Sequence, residues 1–224
     1  MHLTKKIPLY PNKKTQDALW NISHLCTNLW NCALEQRKDR NSYGKINIYS
    51  QKKELTFIKK EFEEYKIPSS QILQNVLFSL DRSYKQFYTK WKNGDKDVRP
   101  PKFKSKKYFF TQEYSQYKTS FFIDQEQKVL QLAYGKNKKT WLSIPFNEKD
   151  LIDCGNFKTC IISYDNMSKK WYASITYVFE EVRYQKNNYS IYFDPGAKTT
   201  LTGITSGGEF VEYDISLPLH GAIG

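Results

Sequence analysis

Histidine, cysteine and long apolar runs are all scarce in this 224-residue chain. No stretch approaches the ~18 consecutive apolar residues that a membrane-spanning helix needs. The opening, Met1-His2-Leu3-Thr4-Lys5-Lys6-Ile7-Pro8, lacks the apolar core of a secretory signal. The three histidines, His2, His24 and His220, are too scattered to form a ligand cluster. Four cysteines fall into two pairs, Cys26/Cys32 and Cys154/Cys160, each with five residues between its members. That is not the two-residue spacing of a zinc knuckle, and it implies no disulfide framework in a chain of this length. Reduced thiols and a cytoplasmic location are the expectation.

Acidic residues are short on one side of the chain only. Residues 1–110 carry 23 Lys/Arg against 10 Asp/Glu, whereas residues 111–224 carry 12 against 13, so the whole formal charge of +12 resides in the first half. A localised cationic surface points to an anionic partner, and a phosphate backbone, which releases counterions on contact, fits it best. An anionic membrane surface is the weaker alternative. Hydrophobic residues make up 39% of the chain and aromatics 16%, enough to build a core.

The patterning divides near residue 107. Leu19, Ile22, Leu25, Leu29, Cys32 and Ala33 recur at helical spacing within 13–39, before the break at Asn41-Ser42-Tyr43-Gly44. A more charged helical stretch covers 51–65. Ser69 reads as the N-cap of a third helix with Ile72, Leu73, Val76, Leu77, Leu80, Tyr84, Phe87 and Trp91 on one face, closed by Asn93-Gly94. Beyond the loop 93–107, short β-rich runs take over: 120–123, 129–134, 140–144, 157–164 and 171–179, separated by marked turns. After 180–188, three further runs at 189–194, 199–205 and 209–214 predict a meander with a Ser206-Gly207-Gly208 hairpin turn. The fold class is therefore α+β.

Two places carry chemistry. Between Lys90 and Lys107 there are eight Lys/Arg and two Asp, with Trp91 and Phe103 interleaved. Lys90, Lys92, Arg99, Lys102, Lys104, Lys106 and Lys107 suit phosphates, while Trp91 and Phe103 suit stacking on bases or riboses. A solvated, partly ordered loop is the competing reading. The second place is Asp194, a carboxylate ending the apolar strand Ile191-Tyr192-Phe193. Divalent metal binding is one way to stabilise such a charge, and Gly196 leaves room for a phosphate to approach. Taken alone, Asp194-Pro195-Gly196 reads first as an ordinary strand-ending turn.

The longer stretch Phe193-Asp194-Pro195-Gly196-Ala197-Lys198-Thr199-Thr200-Leu201-Thr202 resembles the first RuvC motif of the TnpB family, the OrfB-type transposase proteins of insertion sequences. Leu29-Trp30-Asn31-Cys32-Ala33-Leu34, Ser69-Ser70-Gln71-Ile72-Leu73-Gln74, Arg99-Pro100-Pro101-Lys102-Phe103-Lys104-Ser105-Lys106-Lys107 and Lys169-Lys170-Trp171-Tyr172-Ala173-Ser174-Ile175 resemble further family segments, in the family's order. The resemblance implies a β-barrel wedge domain from 1–12 and 108–180. It also implies a helical recognition domain over 13–107 and the first strands of an RNase H-like RuvC domain over 188–224. It implies RNA-guided, Mg²⁺-dependent DNA cleavage in the family, with DNA and guide RNA as partners and Asp194 as the first catalytic, metal-binding carboxylate.

The chain departs from the family pattern after Asp194. The later RuvC motifs and the Cys-x-x-Cys zinc insertion have no counterpart before Gly224, and Glu209, Glu212 and Asp214 match no family motif. The expectation is a nucleic-acid-binding fragment that does not cut DNA unaided. A nuclease-inactive binding regulator and an enzyme half completed in trans are the alternatives.

Overall fold

The computed structural model describes residues 2–39, 46–135, 140–147, 149, 156–178, 191–194 and 201–213. They form a mixed α+β structure with three α-helices and antiparallel sheets, in two compact units, residues 1–179 and 180–224. Helix α1, Lys13–Lys38, starts where Asn12 Oδ1 accepts a 2.9 Å hydrogen bond from the Thr15 amide, and Arg37 and Lys38 complement the dipole at its end. Leu19, Ile22, Cys26, Leu29 and Ala33 form its buried stripe. The predicted break at 41–44 lies outside the described residues.

Helix α2, Ile48–Glu61, begins three residues before the expected stretch 51–65 and gives way to a 3₁₀ turn before that stretch ends. A reciprocal cap sets the early start: Asn47 Oδ1 accepts from the Ser50 amide at 3.0 Å and Ser50 Oγ accepts from the Asn47 amide at 3.2 Å. A 3₁₀ turn, Glu63–Lys66, connects it to α3, Ser70–Lys92, whose N-cap is Ser69. Asn93 caps the other end, followed by Gly94 at φ +89°, a conformation that favours glycine.

Strand β1, His2–Leu9, pairs antiparallel with β7, Lys170–Val178, which pairs with β6, Phe157–Asp165, and then β2, Gln112–Tyr114. A second sheet joins β3, Phe121–Asp124, β4, Val129–Tyr134, and β5, Thr140–Pro145. The Tyr10 amide donates to the Pro145 carbonyl at 3.0 Å, linking the end of β1 to β5. Strand β2 is absent from the sequence expectation, because three residues reading Gln-Glu-Tyr carry no β signal. Its Gln112 is fully buried and is held by tertiary partners: Nε2 donates to the Leu19 carbonyl at 2.7 Å and Oε1 accepts from Tyr114 OH at 3.2 Å.

One hydrophobic core runs through the helices and both sheets of the first unit. Trp20 of α1, Phe109, Tyr164 of β6 and Trp171 of β7 cluster, with Phe109 edge-on to Trp171 at 5.0 Å and to Trp20 at 5.2 Å between centroids, and Tyr164 tilted against Trp171. Burial pushes the Cys26 thiol up to about 12 and raises that of Cys160 as well, so both are held as inert thiols. Cys32 is exposed, and Cys154 lies outside the described residues. No helix among the described residues is long and apolar enough to cross a membrane.

In the second unit, β8, Ile191–Asp194, β9, Leu201–Thr205, and β10, Phe210–Tyr213, form a meander in the order β10-β9-β8. Thr205 Oγ1 accepts from the Glu209 amide at 3.0 Å across the Ser206-Gly207-Gly208 turn, where Gly208 has φ +83°. Gly203 faces Phe193 across the sheet. A Cβ at that glycine would stand 2.8 Å from the ring, so the glycine is what lets the ring approach β9 this closely.

A polar node joins the three helices. Arg37 of α1 donates from Nε to Gln51 Oε1 at 2.9 Å and from Nη1 to Asp81 Oδ1 at 3.1 Å, while Gln51 Nε2 donates to the Ala33 carbonyl at 2.8 Å. Lys85 pairs with the other Asp81 oxygen at 3.0 Å. Burial alone would raise the Asp81 carboxyl, but hydrogen bonds from Lys85 and Arg37 outweigh it and hold the carboxyl below its ordinary range. Arg37→Ala strands Gln51 and half of Asp81, and it is expected to cost about 2–3 kcal/mol in urea unfolding. A group depressed in the folded state stabilises above its unfolded value and loses that contribution as pH falls through the folded value. The stability gap between the native chain and Asp81→Asn should therefore be flat from about pH 5 to 8 and shrink below about pH 4. A gap unchanged at pH 3 would show that the pairing does not stabilise the fold.

Candidate nucleic-acid interface

After Gly94 the chain runs back along α1 without regular structure until β2 begins at Gln112. Side chains of α1 hold this strap in place. Asn31 Nδ2 donates to the Lys104 carbonyl at 2.9 Å and Asn31 Oδ1 accepts from the Lys104 amide at 2.8 Å. A carboxamide carries one donor and one acceptor side by side, as a peptide unit does, so Asn31 pairs with Lys104 as a neighbouring strand would. Next to it, Trp30 Nε1 donates to the Lys102 carbonyl at 3.0 Å. Two turns earlier, Ser23 Oγ donates to the Tyr108 carbonyl at 3.3 Å and accepts from the Phe110 amide at 2.6 Å.

Around these anchor points most of the strap's cations face solvent. Arg99, Lys102, Lys106 and Lys107 are exposed, as are Lys90, Trp91 and Lys92 in the last turn of α3. Lys90, Arg99, Lys102 and Lys104 line one cleft of about 240 Å³ between α1, α3 and the strap, with Trp30 and Phe87 in its walls and no carboxylate among its lining. Among the described residues none of Lys90, Arg99, Lys102, Lys106 or Lys107 is paired with an acid. Asp95 serves its own turn instead, accepting from the Asp97 amide at 3.2 Å.

The residues of the basic stretch are not equivalent. Lys104 is half-buried and lies over two rings, 4.4 Å from the centroid of Tyr108 and 5.3 Å from that of Trp30, so part of its charge is spent inside the protein. Phe103 is 50% exposed with Lys38 Nζ 4.2 Å above its ring, whereas Trp91 is 60% exposed and has no recorded ring partner among the described residues. Trp91 is thus the better stacking platform. Sequence reasoning missed Lys38, Ser83, Gln86 and Phe87, which reach the surface from the helices. Trp30 and Asn31 stand in the sequence only within a segment that resembles the family, and no local signal marks either as an anchor.

Asp194 ends β8 exposed to solvent, opposite Thr202 of β9. The rest of its motif, Pro195 to Thr200, lies outside the described residues, as does Asp214. Glu209 is exposed beside the β9–β10 turn. No group of three His, Cys, Asp or Glu side chains able to hold a metal forms among the described residues. A lone exposed carboxylate does not fit a Mg²⁺ centre, which needs several oxygen ligands.

The strap makes a direct prediction. Asn31→Ala removes both bonds to Lys104 and should accelerate tryptic cleavage after Lys102, Lys104 and Lys106 several-fold, while lowering global stability by only about 1–2 kcal/mol. Asn31→Asp keeps the acceptor for the Lys104 amide and loses the donor, so it should fall between. Cleavage rates equal to those of the native chain would mean that the strap is held by something else.

No protein-family model matches the chain, and no curated protein matches it. Among solved structures it is similar to a chain in the cryo-EM structure of the Cas12f1-sgRNA-target DNA complex, with a TM-score of 0.43 and 11% sequence identity. The match covers 96% of this chain and 57% of that one, so this chain spans little more than half its length.

Proposed function

We propose that this chain binds nucleic acid along the strap and the C-terminal turn of α3, as the binding part of a TnpB-type, RNA-guided DNA endonuclease. The observation that carries the reading is the clamped strap. Its backbone is tied to α1 by Trp30, Asn31 and Ser23, and its cations converge with Lys90 on a cleft that no acid lines. A disordered lysine-rich tail would have to be ordered on binding, whereas the backbone that carries these charges is already anchored when a phosphate arrives. The resemblance of Pro101-Lys102-Phe103-Lys104 to the family signature falls on the same residues.

In this reading Arg99, Lys102, Lys106 and Lys107 hold successive phosphates, Lys90 and Lys92 extend the track, and Trp91 stacks on a base or ribose. Sequence is read by guide RNA pairing, while the protein holds the backbone. Residues 1–12 and 108–180 act as the wedge barrel, 13–107 as the recognition domain and 188–224 as the opening strands of the RuvC fold. Asp194 corresponds to the first carboxylate of the family's site, and alone it offers too few oxygen ligands to hold the ion.

Charge reversal at Lys102, Lys106 and Lys107 is expected to weaken binding of RNA or DNA tenfold or more at low salt, by roughly one phosphate contact per lysine. The slope of log affinity against log salt should fall by about 2–3. Reversal at Lys104 should do less, because its ammonium already lies on Tyr108 and Trp30. Trp91→Ala should cost about 1–3 kcal/mol for single strands and less for duplexes. Unchanged affinity and slope in the triple variant would sink the reading. Mg²⁺-dependent nicking of plasmid by the isolated chain, lost in Asp194→Ala, would overturn the restriction to binding.

A further inference from the structure

A second lysine-lined cleft lies on the other flank of α3. On α2, Lys52, Thr56, Lys59 and Lys60 recur at spacings of four, three and one, which places them on one side of the helix, with Glu54 and Glu61 falling opposite. Glu54 faces α1, where its Oε2 accepts from Gln36 Nε2 at 2.7 Å. Lys66 joins from the 3₁₀ turn, and Ser70 and Gln74 of α3 form the facing wall of a cleft of about 320 Å³ with no carboxylate in its lining. Lys59 Nζ is fixed 2.7 Å from Ser70 Oγ, Lys66 Nζ lies 3.4 Å from Glu63 Oε1, and Lys52 Nζ sits 4.9 Å from the ring centre of Phe78. Glu63 offsets Lys66, while Lys52 and Lys60 bring like charge to the same cavity, a crowding that a polyanion relieves.

The two clefts are separate surfaces of the same helix. Ser70, Gln74 and Phe78 recur every fourth residue on one edge of α3, while Ser83, Gln86 and Lys90 line the strap cleft on the other. The buried stripe Ile72, Leu73, Val76, Leu77 and Leu80 runs between the two edges. Gln74 and Phe87 are about 20 Å apart along the axis at 1.5 Å per residue. That spans about six stacked nucleotides at 3.4 Å each.

We propose that the α2–α3 cleft is a second phosphate-binding site, which holds the backbone of the nucleic acid bound at the strap. The chain then grips one polymer at two points on opposite edges of α3. This rests on nucleic acid being the partner, and the test separates the two claims. Lysine acylation of the full chain, read residue by residue by mass spectrometry, is compared with and without an RNA–DNA heteroduplex of about 20 base pairs. Lys52 and Lys60 are expected to react at least fivefold more slowly in the complex, together with Lys102 and Lys106, while the exposed Lys118 keeps its rate. The double variant Lys52→Gln/Lys60→Gln should lower the salt slope by about 1.5–2 and leave Lys102 and Lys106 protected. Protection at the strap with unchanged rates at Lys52 and Lys60 overturns the second site and leaves the first standing. Equal slowing at Lys118 overturns it as well, since the effect is then diffuse. Unchanged rates at all of them overturn both.

Discussion

The paired hydrogen bonds between the Asn31 side chain and the Lys104 backbone are the constraint on which the working surface depends. A segment with eight cations and two acids repels itself and, left alone, would spread into solvent. Here a carboxamide on α1 completes the peptide unit of Lys104, Trp30 ties down Lys102, and Ser23 bridges Tyr108 and Phe110. The same segment then delivers Phe109 and Phe110 into the core and opens β2 with Gln112, so the strap and the sheet are seated by one continuous set of contacts to α1.

Helix α1 is the spine of the first unit because each of its sides has a different partner. Its apolar stripe enters the shared core, and Trp20 meets the Phe109, Tyr164 and Trp171 rings. Its end carries Arg37 into the node with Gln51 and Asp81, which joins α2 and α3 to it. A buried guanidinium is costly unless its partners are in place, so the node constrains which side of α1 the other helices occupy. The polar residues inside the unit thus act as locators: Gln51 and Gln112 each donate to a carbonyl of α1, and Ser23 bridges backbone groups of the strap, so each buried side chain is itself satisfied by a distant element.

Much of this was legible in the sequence, and the exceptions share a cause. The helices and most strands could be read because periodicity, caps and turn residues are local signals, as with Ser69 before α3 and Asn93-Gly94 after it. Helix α2 begins before the charged stretch 51–65 because the Asn47–Ser50 cap sets its start. Strand β2 was invisible because Gln112 and Glu113 look polar, and only the tertiary partners of Gln112 explain its burial. The cations of the strap could be named, but not ranked. Asn31 and Lys104 are 73 positions apart, so nothing near Lys104 in sequence reveals that it is half-buried while Lys102 and Lys106 stand free of the core. Asp194 was legible only through its resemblance to a family motif, since an exposed carboxylate at a strand end looks like any other.

The division of labour among the lysines has an energetic logic. Lys104 over Tyr108 and Trp30, and Lys38 over Phe103, place two cations on aromatic faces, where a ring quadrupole offsets part of the cost of crowding like charges. These contacts also stiffen the ground from which Lys102, Lys106 and Lys107 project. A long lysine loses rotamer freedom when it binds, but its backbone need not be ordered again if the strap already holds it. The entropy of fixing the loop is therefore met once, at folding, by hydrogen bonds to a helix that the core holds in place. What remains at binding is the exchange of condensed counterions for ammonium groups. That exchange is insensitive to base sequence, as suits a surface that holds a backbone and leaves recognition to base pairing.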